Sequence, residues 1–534
     1  MRMPDVVLAE VDYVRVVADE LRSQNRFLPP NYADIALLTR VPEVASWLES
    51  ALRRPISASA HDTVLARKSW AGSRPLSYLT LPDRLAFRAA TSAIPMPPDV
   101  TVRRGGEAEY DAFVQAPLEH EDCRYVLKTD IAAFYQYVDH ERLVDEVVAQ
   151  SGDDLAVTSA LLLLQEGAGR RFGLPQMTGP SDLLAEIYIE PINRSLARRQ
   201  FRVSRYADDF RVACRDYNEA LDALEVTERA AHTLGLVLNE VKTATPRRDT
   251  YAASLAEVSD AERELFASVA QDFAQADPSD SFVDSAAYQD ADASDAGSPA
   301  SLADESLGVQ ADEVDAPPYE SIEAPLTFGQ IEAARRVVDH WASDGIVEHP
   351  QLAWSKTVQS VLLRRALGVL SAVRDTHALG ATTAILVHEP HLTPNVCNYL
   401  RSVAEVERGA VVRQVGRICR RRIVSVWQAV WLSHLCGEIS RSGSTRVVPA
   451  YVEWLRLQVA SEHPALAAQA LLALARRRSV DASRAVEMLS VIPRVHRPTV
   501  LMALAVLDPA APSVLTGDDM LERWQAEWAV REWT

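Results

Sequence analysis

The sequence predicts an α+β module followed by an all-helical one, with an acidic stretch between them. Three observations carry this. Residues 1–258 mix short β-like runs with helical patterns, whereas residues 326–534 place apolar residues at helical spacing almost throughout. The 534 residues, 48% of them hydrophobic, suffice for roughly three domains with proper cores. The formal charge of −19 is unevenly spread: −8 over residues 1–258, −16 over 259–325 and +5 over 326–534. A uniformly acidic surface would repel a polyphosphate, but most of this acidity sits in one segment. Residues 259–325 hold 17 acidic and one basic side chain, are rich in Asp, Ser and Ala, and read as a disordered linker.

Within the first module, three segments carry chemistry. In residues 125–135 (YVLKTDIAAFY) a short apolar strand ends on Asp130 and leads into a helical pattern over 139–150. Residues 173–181 (GLPQMTGPS) form a turn-rich loop that opens onto a second helical pattern. Residues 201–214 (FRVSRYADDFRVAC) read as two β runs around a tight turn at Asp208-Asp209. Adjacent aspartates at a hairpin tip repel each other unless a cation compensates. With Asp130 beside them, three carboxylates could hold two divalent ions ~4 Å apart, an arrangement suited to in-line phosphoryl transfer.

These segments, with residues 234–243 (LGLVLNEVKT), resemble in order and spacing the palm of reverse transcriptases. That family carries a D-x-x-x-x-[FY] strand, a G-L-P-Q loop, a [YF]-x-D-D hairpin and an L-x-L-N-x-x-K-T element. The resemblance covers about residues 50–250 and implies a right-hand polymerase palm and fingers, an antiparallel palm sheet with helices. It implies that Asp130, Asp208 and Asp209 surround two Mg2+ ions (Mn2+ as an alternative), with Asp130 and Asp208 as direct ligands. Tyr135 falls where the family places the aromatic gate against a ribose 2′-OH. Gln176 falls where a side chain meets the incoming nucleotide and template, and Lys242 where a proton donor to pyrophosphate could stand. Upstream, Lys68, Arg74 and Arg84 resemble the basic fingers hairpin that neutralises the triphosphate, Arg74 being the best match. One departure is Met177, where the family usually has glycine; a different loop path is expected there.

The run 181–186 (SDLLAE) and the Arg205-Tyr206 pair resemble abortive-infection and related defence-associated reverse transcriptases of bacteria. In that group an all-α, HEAT-like domain replaces a conventional thumb, and the helical patterns at 331–344, 354–375, 403–435, 447–459 and 463–478 agree. This resemblance implies an RNA-directed DNA polymerase in antiviral (anti-phage) defence. Its partners would be dNTPs, RNA or DNA as template and a noncoding RNA, and such enzymes are often oligomeric. It also implies that synthesis can proceed without a template or from a tyrosine hydroxyl, with Tyr399 and Tyr451 as the tyrosines beyond the linker.

Two other readings compete. Arg335 and His340 give the R-x-x-x-x-H spacing of HEPN ribonucleases, although Arg336 stands where that motif prefers a small polar residue. A catalytically inactive nucleic-acid-binding scaffold is the other, and retention of all three aspartates with Lys242 argues against it. The HEPH run 388–391 lacks zinc-protease spacing, and Pro390 would break the helix such a site needs. Five widely spaced cysteines without a C-x-x-C pair point to a reducing compartment. No export signal is legible, and the longest uncharged apolar stretch, 423–437, is too short to span a bilayer and reads as a buried helix. A cytoplasmic protein without membrane contact is the expectation.

Overall fold

The computed structural model describes residues 2–68, 72–95, 107–152, 154–275, 326–343, 356–421, 425–439, 450–517 and 519–534. Two small antiparallel sheets stand among helices. Strands β1 (Asp62–Arg67) and β2 (Ser73–Tyr78) form a hairpin, in which Val64 faces Leu76 and Ala66 faces Arg74. Strands β3 (Tyr125–Asp130), β4 (Arg202–Tyr206) and β5 (Asp209–Cys214) form a sheet ordered β3-β5-β4.

Side chains alternate across this second sheet, so its faces separate by residue parity. Leu127, Phe210 and Val212 join the core shared with helices α2 (Gly179–Arg198) and α3 (Tyr217–Thr233). On the opposite face Val126 and Ala213 pack with Cys123 and Tyr251, the last from helix α4 (Arg248–Gln275). Asp130 and Asp209 lie at the end of this second face, beyond buried Lys128 and Arg211.

Helix α2 begins with Pro180 in its first turn, where a missing N–H costs nothing. Pro191, inside the helix, cannot bond the Ile187 carbonyl. The Gln150 side-chain amide donates to that oxygen instead, at 3.2 Å. Helix α4 continues past residue 258, so the portion of the expected linker from 259 to 275 is helical; the remainder, 276–325, lies outside the described residues.

The C-terminal part is helical, as its periodicity predicts, but residues 403–435 are not one helix. They are divided among the end of Thr393–Val403, α5 (Arg408–Arg420) and the start of α6 (Val426–Ile439). Alternate helices pack in one row: Lys356–Ala372, Thr393–Val403, α6, Pro464–Arg476, Arg497–Leu507 and Met520–Trp533 each meet the next. Helix α7 (Ala450–Val459) packs beside α5. No described helix is long and apolar enough to cross a membrane.

The sequence does not foretell that the β1–β2 hairpin joins the C-terminal core. Val64, Ala66 and Leu76 share one apolar cluster with the C-terminal helices. Around it, His496 bonds Asp62 at 2.6 Å and meets Tyr78 edge-on at 4.9 Å, and Gln525 donates to the Ala33 carbonyl. Tyr32 stacks on His434 and donates to Glu438, which also binds Arg476.

Burial holds His434 neutral and pushes it down to about 4. A histidine depressed when folded takes up its proton more readily unfolded, so the stability it contributes is present above about pH 6.5 and lost as pH falls towards 4. Melting temperature should therefore drop across this interval. His434→Gln should flatten that dependence by roughly 2–3 kcal/mol at the acid end; an identical pH profile in the variant would refute the assignment.

Candidate active site

The site is built where β3 ends and β5 begins. In the antiparallel register Asp130 stands directly opposite Asp209, which places two carboxylates side by side on one face. Asp208 occupies the turn before β5, and its carbonyl accepts from the Ile131 amide, so the turn lies against the end of β3. Desolvation, then Asp130 and Asp209, pushes Asp208 up to about 8. Asp130 is also raised, by burial and then Asp209, while Lys242, the Asn239 amide and Lys68 pull it back.

Residues 234–247 run along the free edge of β3. Val126 N–H donates to Pro246 O, Lys128 and Ala244 exchange a pair of backbone bonds, and Asn239 N–H donates to Asp130 O. This edge pairing brings two polar groups onto the carboxylate: Asn239 Nδ2 lies 3.1 Å and Lys242 Nζ 3.4 Å from Asp130 Oδ2. Lys242 is therefore a partner of the acidic cluster, not an ordinary surface lysine. Asn239 is a site residue whose role the sequence did not reveal, although it lies within the L-x-L-N-x-x-K-T element.

The turn itself is strained, since Ala207 has φ 49°, a left-handed conformation costly to a residue with Cβ. Arg205 holds it. Its Nη1 donates to the Ala207 carbonyl at 3.0 Å, and its Nη2 binds Glu186 at 2.7 Å and reaches Glu190 at 3.5 Å, both on α2. The SDLLAE run and the Arg205-Tyr206 pair thus meet in one buried bridge. Arg205→Leu strands Glu186 and should destabilise the fold by about 3–5 kcal/mol. Glu186→Gln keeps a hydrogen-bond acceptor and, for the polymerase that the resemblance implies, should lower nucleotide incorporation by about 10–100-fold, as for groups that orient metal ligands; full activity in that variant would show that the bridge does not position the turn.

Tyr135 follows Asp130 on a short helix, Phe134–Tyr137. Its hydroxyl donates to Asp182 at 2.8 Å and its ring meets Phe134 edge-on. Burial pushes Asp182 up to about 6 against the hydrogen bond from Tyr135. Gln176 is half-buried in the loop that leads into α2. Met177, beside it, has φ 63°, so the backbone adopts a glycine-favouring conformation where the family usually has glycine. Its sulfur lies 3.0 Å from Arg74 Nη1, and the Arg74 guanidinium stacks on Phe27 with Cζ 4.8 Å from the ring centroid. Lys68 closes the described end of the β1–β2 hairpin, where its charge reaches Asp130.

Other expected residues lie elsewhere. Arg84 binds Glu20 through Nη1 and both carboxylate oxygens of Asp34 through Nη2, so it ties helix α1 (Leu81–Ser92) to the N-terminal helices and takes no part in the cluster. Arg335 is engaged by Asp375 at 2.6 Å and by Glu332, which gives the HEPN spacing a structural role. Tyr399 and Tyr451 are fully buried, with hydroxyls bonded to Asp375 O and Arg477, so neither presents a priming oxygen. His391 of the HEPH run bonds Ser360, and Pro390 begins a new turn.

The donor set at the cluster is oxygen only, which suits a hard divalent cation. Among the described residues no group of three or more His, Cys, Asp or Glu side chains is placed to hold a metal ion. The repulsion between Asp130, Asp208 and Asp209 is what such a cation would relieve.

Residues 68–253, about a third of the chain, match the family model described as reverse transcriptase (RNA-dependent DNA polymerase). The match begins at Lys68 and includes every cluster residue named above through Lys242. No curated protein gave a match to the chain.

Proposed function

We propose that the chain is an RNA-directed DNA polymerase that joins deoxynucleotides by two-metal phosphoryl transfer and serves in antiviral defence. The observation that carries the chemistry is the facing of Asp130 and Asp209 across β3 and β5, with Asp208 at the adjoining turn and Lys242 on Asp130. Asp130, Asp208 and Asp209 would hold the divalent ions, which when bound would lower the pKa of a 3′-hydroxyl and neutralise developing charge on the phosphate oxygens. Lys242 would keep a proton near the leaving pyrophosphate, and Arg74 with Lys68 would neutralise the triphosphate. Tyr135, fixed through Asp182, presents a rigid ring for excluding a 2′-hydroxyl. Gln176 stands in the loop that would meet the template strand.

The defence role rests on the SDLLAE and Arg205-Tyr206 motifs together with the row of alternating C-terminal helices, which supports a HEAT-like domain in place of a thumb. The test is incubation of pure protein with each labelled dNTP, with and without RNA, followed by protease treatment of the product. Incorporation that requires Mg2+ and is lost in the Asp208→Ala/Asp209→Ala double variant is expected. Persistence in the double variant removes the carboxylate assignment, and a product that shifts on proteolysis identifies protein priming.

A further inference from the structure

Helix α5 buries Val411, Gln414, Val415, Ile418 and Cys419, and turns Arg413, Arg417 and Arg420 to solvent with Arg421 just beyond its end. The three helical arginines are spaced i, i+4, i+7 and share one face. At 1.5 Å per residue they stand ~6 Å and ~10 Å along the axis from the first.

What sets this strip apart is the lack of compensating acid. Among the described residues none of the four forms a salt bridge; Arg417 reaches only the neutral Gln414 amide and Arg420 only the Gly416 carbonyl. Several exposed arginines on other helices are neutralised by neighbours, as in Arg53–Glu49, Arg456–Glu453, Arg484–Glu487 and Arg229–Glu225, and those that are not, such as Arg22 and Arg198, do not form a row of three on one helix face. Residues 408–446 hold eight arginines and a single acid, Glu438, which is already bound to Tyr32 and Arg476. The helix dipole favours Arg417 and Arg420 in the last turn by at most about 1 kcal/mol, and offers nothing to Arg413 in mid-helix. Unneutralised guanidinium groups in a row on a protein of charge −19 fit a linear array of phosphates.

We propose that α5 is a docking surface for the phosphodiester backbone of a nucleic-acid strand, formed by residues outside the carboxylate cluster. Arginine-to-phosphate contacts of this kind hold a strand without reading its bases, so the surface is sequence-independent. The proposal takes from the polymerase reading only the reason for a strand to be present. Binding is measured without nucleotides, so a chain that binds but never polymerises would refute that reading and leave this one standing.

The experiment is equilibrium binding of the full chain to labelled single-stranded RNA and single-stranded DNA of one mixed sequence, from about 50 to 200 mM salt. For Arg413→Gln/Arg417→Gln/Arg420→Gln the plot of log affinity against log salt should flatten by about 2, three contacts at ~0.7 each for a single strand. Affinity at the low-salt end should fall at least tenfold. The triple Lys variant, which keeps the charge, should retain the wild-type slope and guards against misfolding as the cause. Arg53→Gln/Arg229→Gln/Arg484→Gln, which removes paired arginines, should also leave it unchanged. A loss confined to RNA or to DNA identifies the strand, and either result supports the surface. Unchanged slope and affinity in a folded α5 Gln variant overturns it, as does an altered sedimentation coefficient with binding intact, which would assign the strip to a protein partner.

Discussion

Asp208→Asn should lower Mg2+-dependent nucleotide incorporation by about a thousandfold or more, while raising the melting temperature of the metal-free protein at pH 8. Both effects come from one feature. Asp208 is pushed up to about 8 by desolvation and by Asp130 and Asp209, so its ionised form is disfavoured in the folded chain. For a carboxyl raised on folding, the proton-linked stability is complete below the unfolded value near pH 4 and is lost as pH rises towards 8. Asparagine carries no charge at any pH and removes that loss. With allowance for the partial exposure of the turn, the gain at pH 8 should be on the order of 2–3 kcal/mol, shrinking to nothing near pH 4. The repulsion that weakens the fold is what a bound cation would relieve, so stability and activity should move in opposite directions at this position. Thermal melts in EDTA at the two pH values, beside incorporation assays with Mg2+, check it. Equal melting at pH 8 would show that Asp208 is not strained, and activity within tenfold of wild type that it is not catalytic.

The carboxylate cluster was legible because its parts are local. A strand ending on Asp130 and a hairpin turning at Asp208 each announce themselves within a few residues, and an antiparallel register then brings Asp130 and Asp209 together. The groups that orient the cluster were not legible, because their partners are distant in sequence. Nothing near Asn239 says that it bonds Asp130, nothing near Arg205 fixes its partner as Glu186, and Tyr135 gives no sign of Asp182. Periodicity separates residues 326–534 from the rest, yet it cannot show that Val64, Ala66 and Leu76, one face of a short hairpin, complete the C-terminal core. Arg84 shows the converse: a basic residue after a β hairpin fits a triphosphate ligand and a structural charge equally in pattern, and only the buried Glu20 and Asp34 around it decide for the structural charge.

Trp431→Ala should both destabilise the protein and weaken its hold on nucleotide, although Trp431 is far in sequence from the carboxylates. The indole is fully buried, and its N–H donates to the Phe27 carbonyl at 3.0 Å, as that of Trp427 does one turn earlier on α6. Truncation removes a large core side chain and one of these bonds, at a cost of about 3–5 kcal/mol. Phe27 is in turn the platform under Arg74, whose guanidinium also touches Met177 in the loop beside Gln176. The C-terminal helices therefore set the position of a candidate triphosphate ligand through one loop residue, and the proposed nucleotide site would not be a property of residues 68–253 alone. A cation–π contact of this kind is worth about 1–2 kcal/mol. Its loss should raise the dNTP KM by roughly tenfold, with a smaller change in kcat, because the interaction is made in ground and transition states alike. Phe27→Leu separates the two effects: it leaves the Phe27 carbonyl for Trp427 and Trp431, so the melting temperature should hold while KM rises. A KM unchanged in Phe27→Leu would mean that Arg74 does not depend on this platform, and a KM unchanged in a folded Trp431→Ala variant that the helical part supports the site by bulk alone.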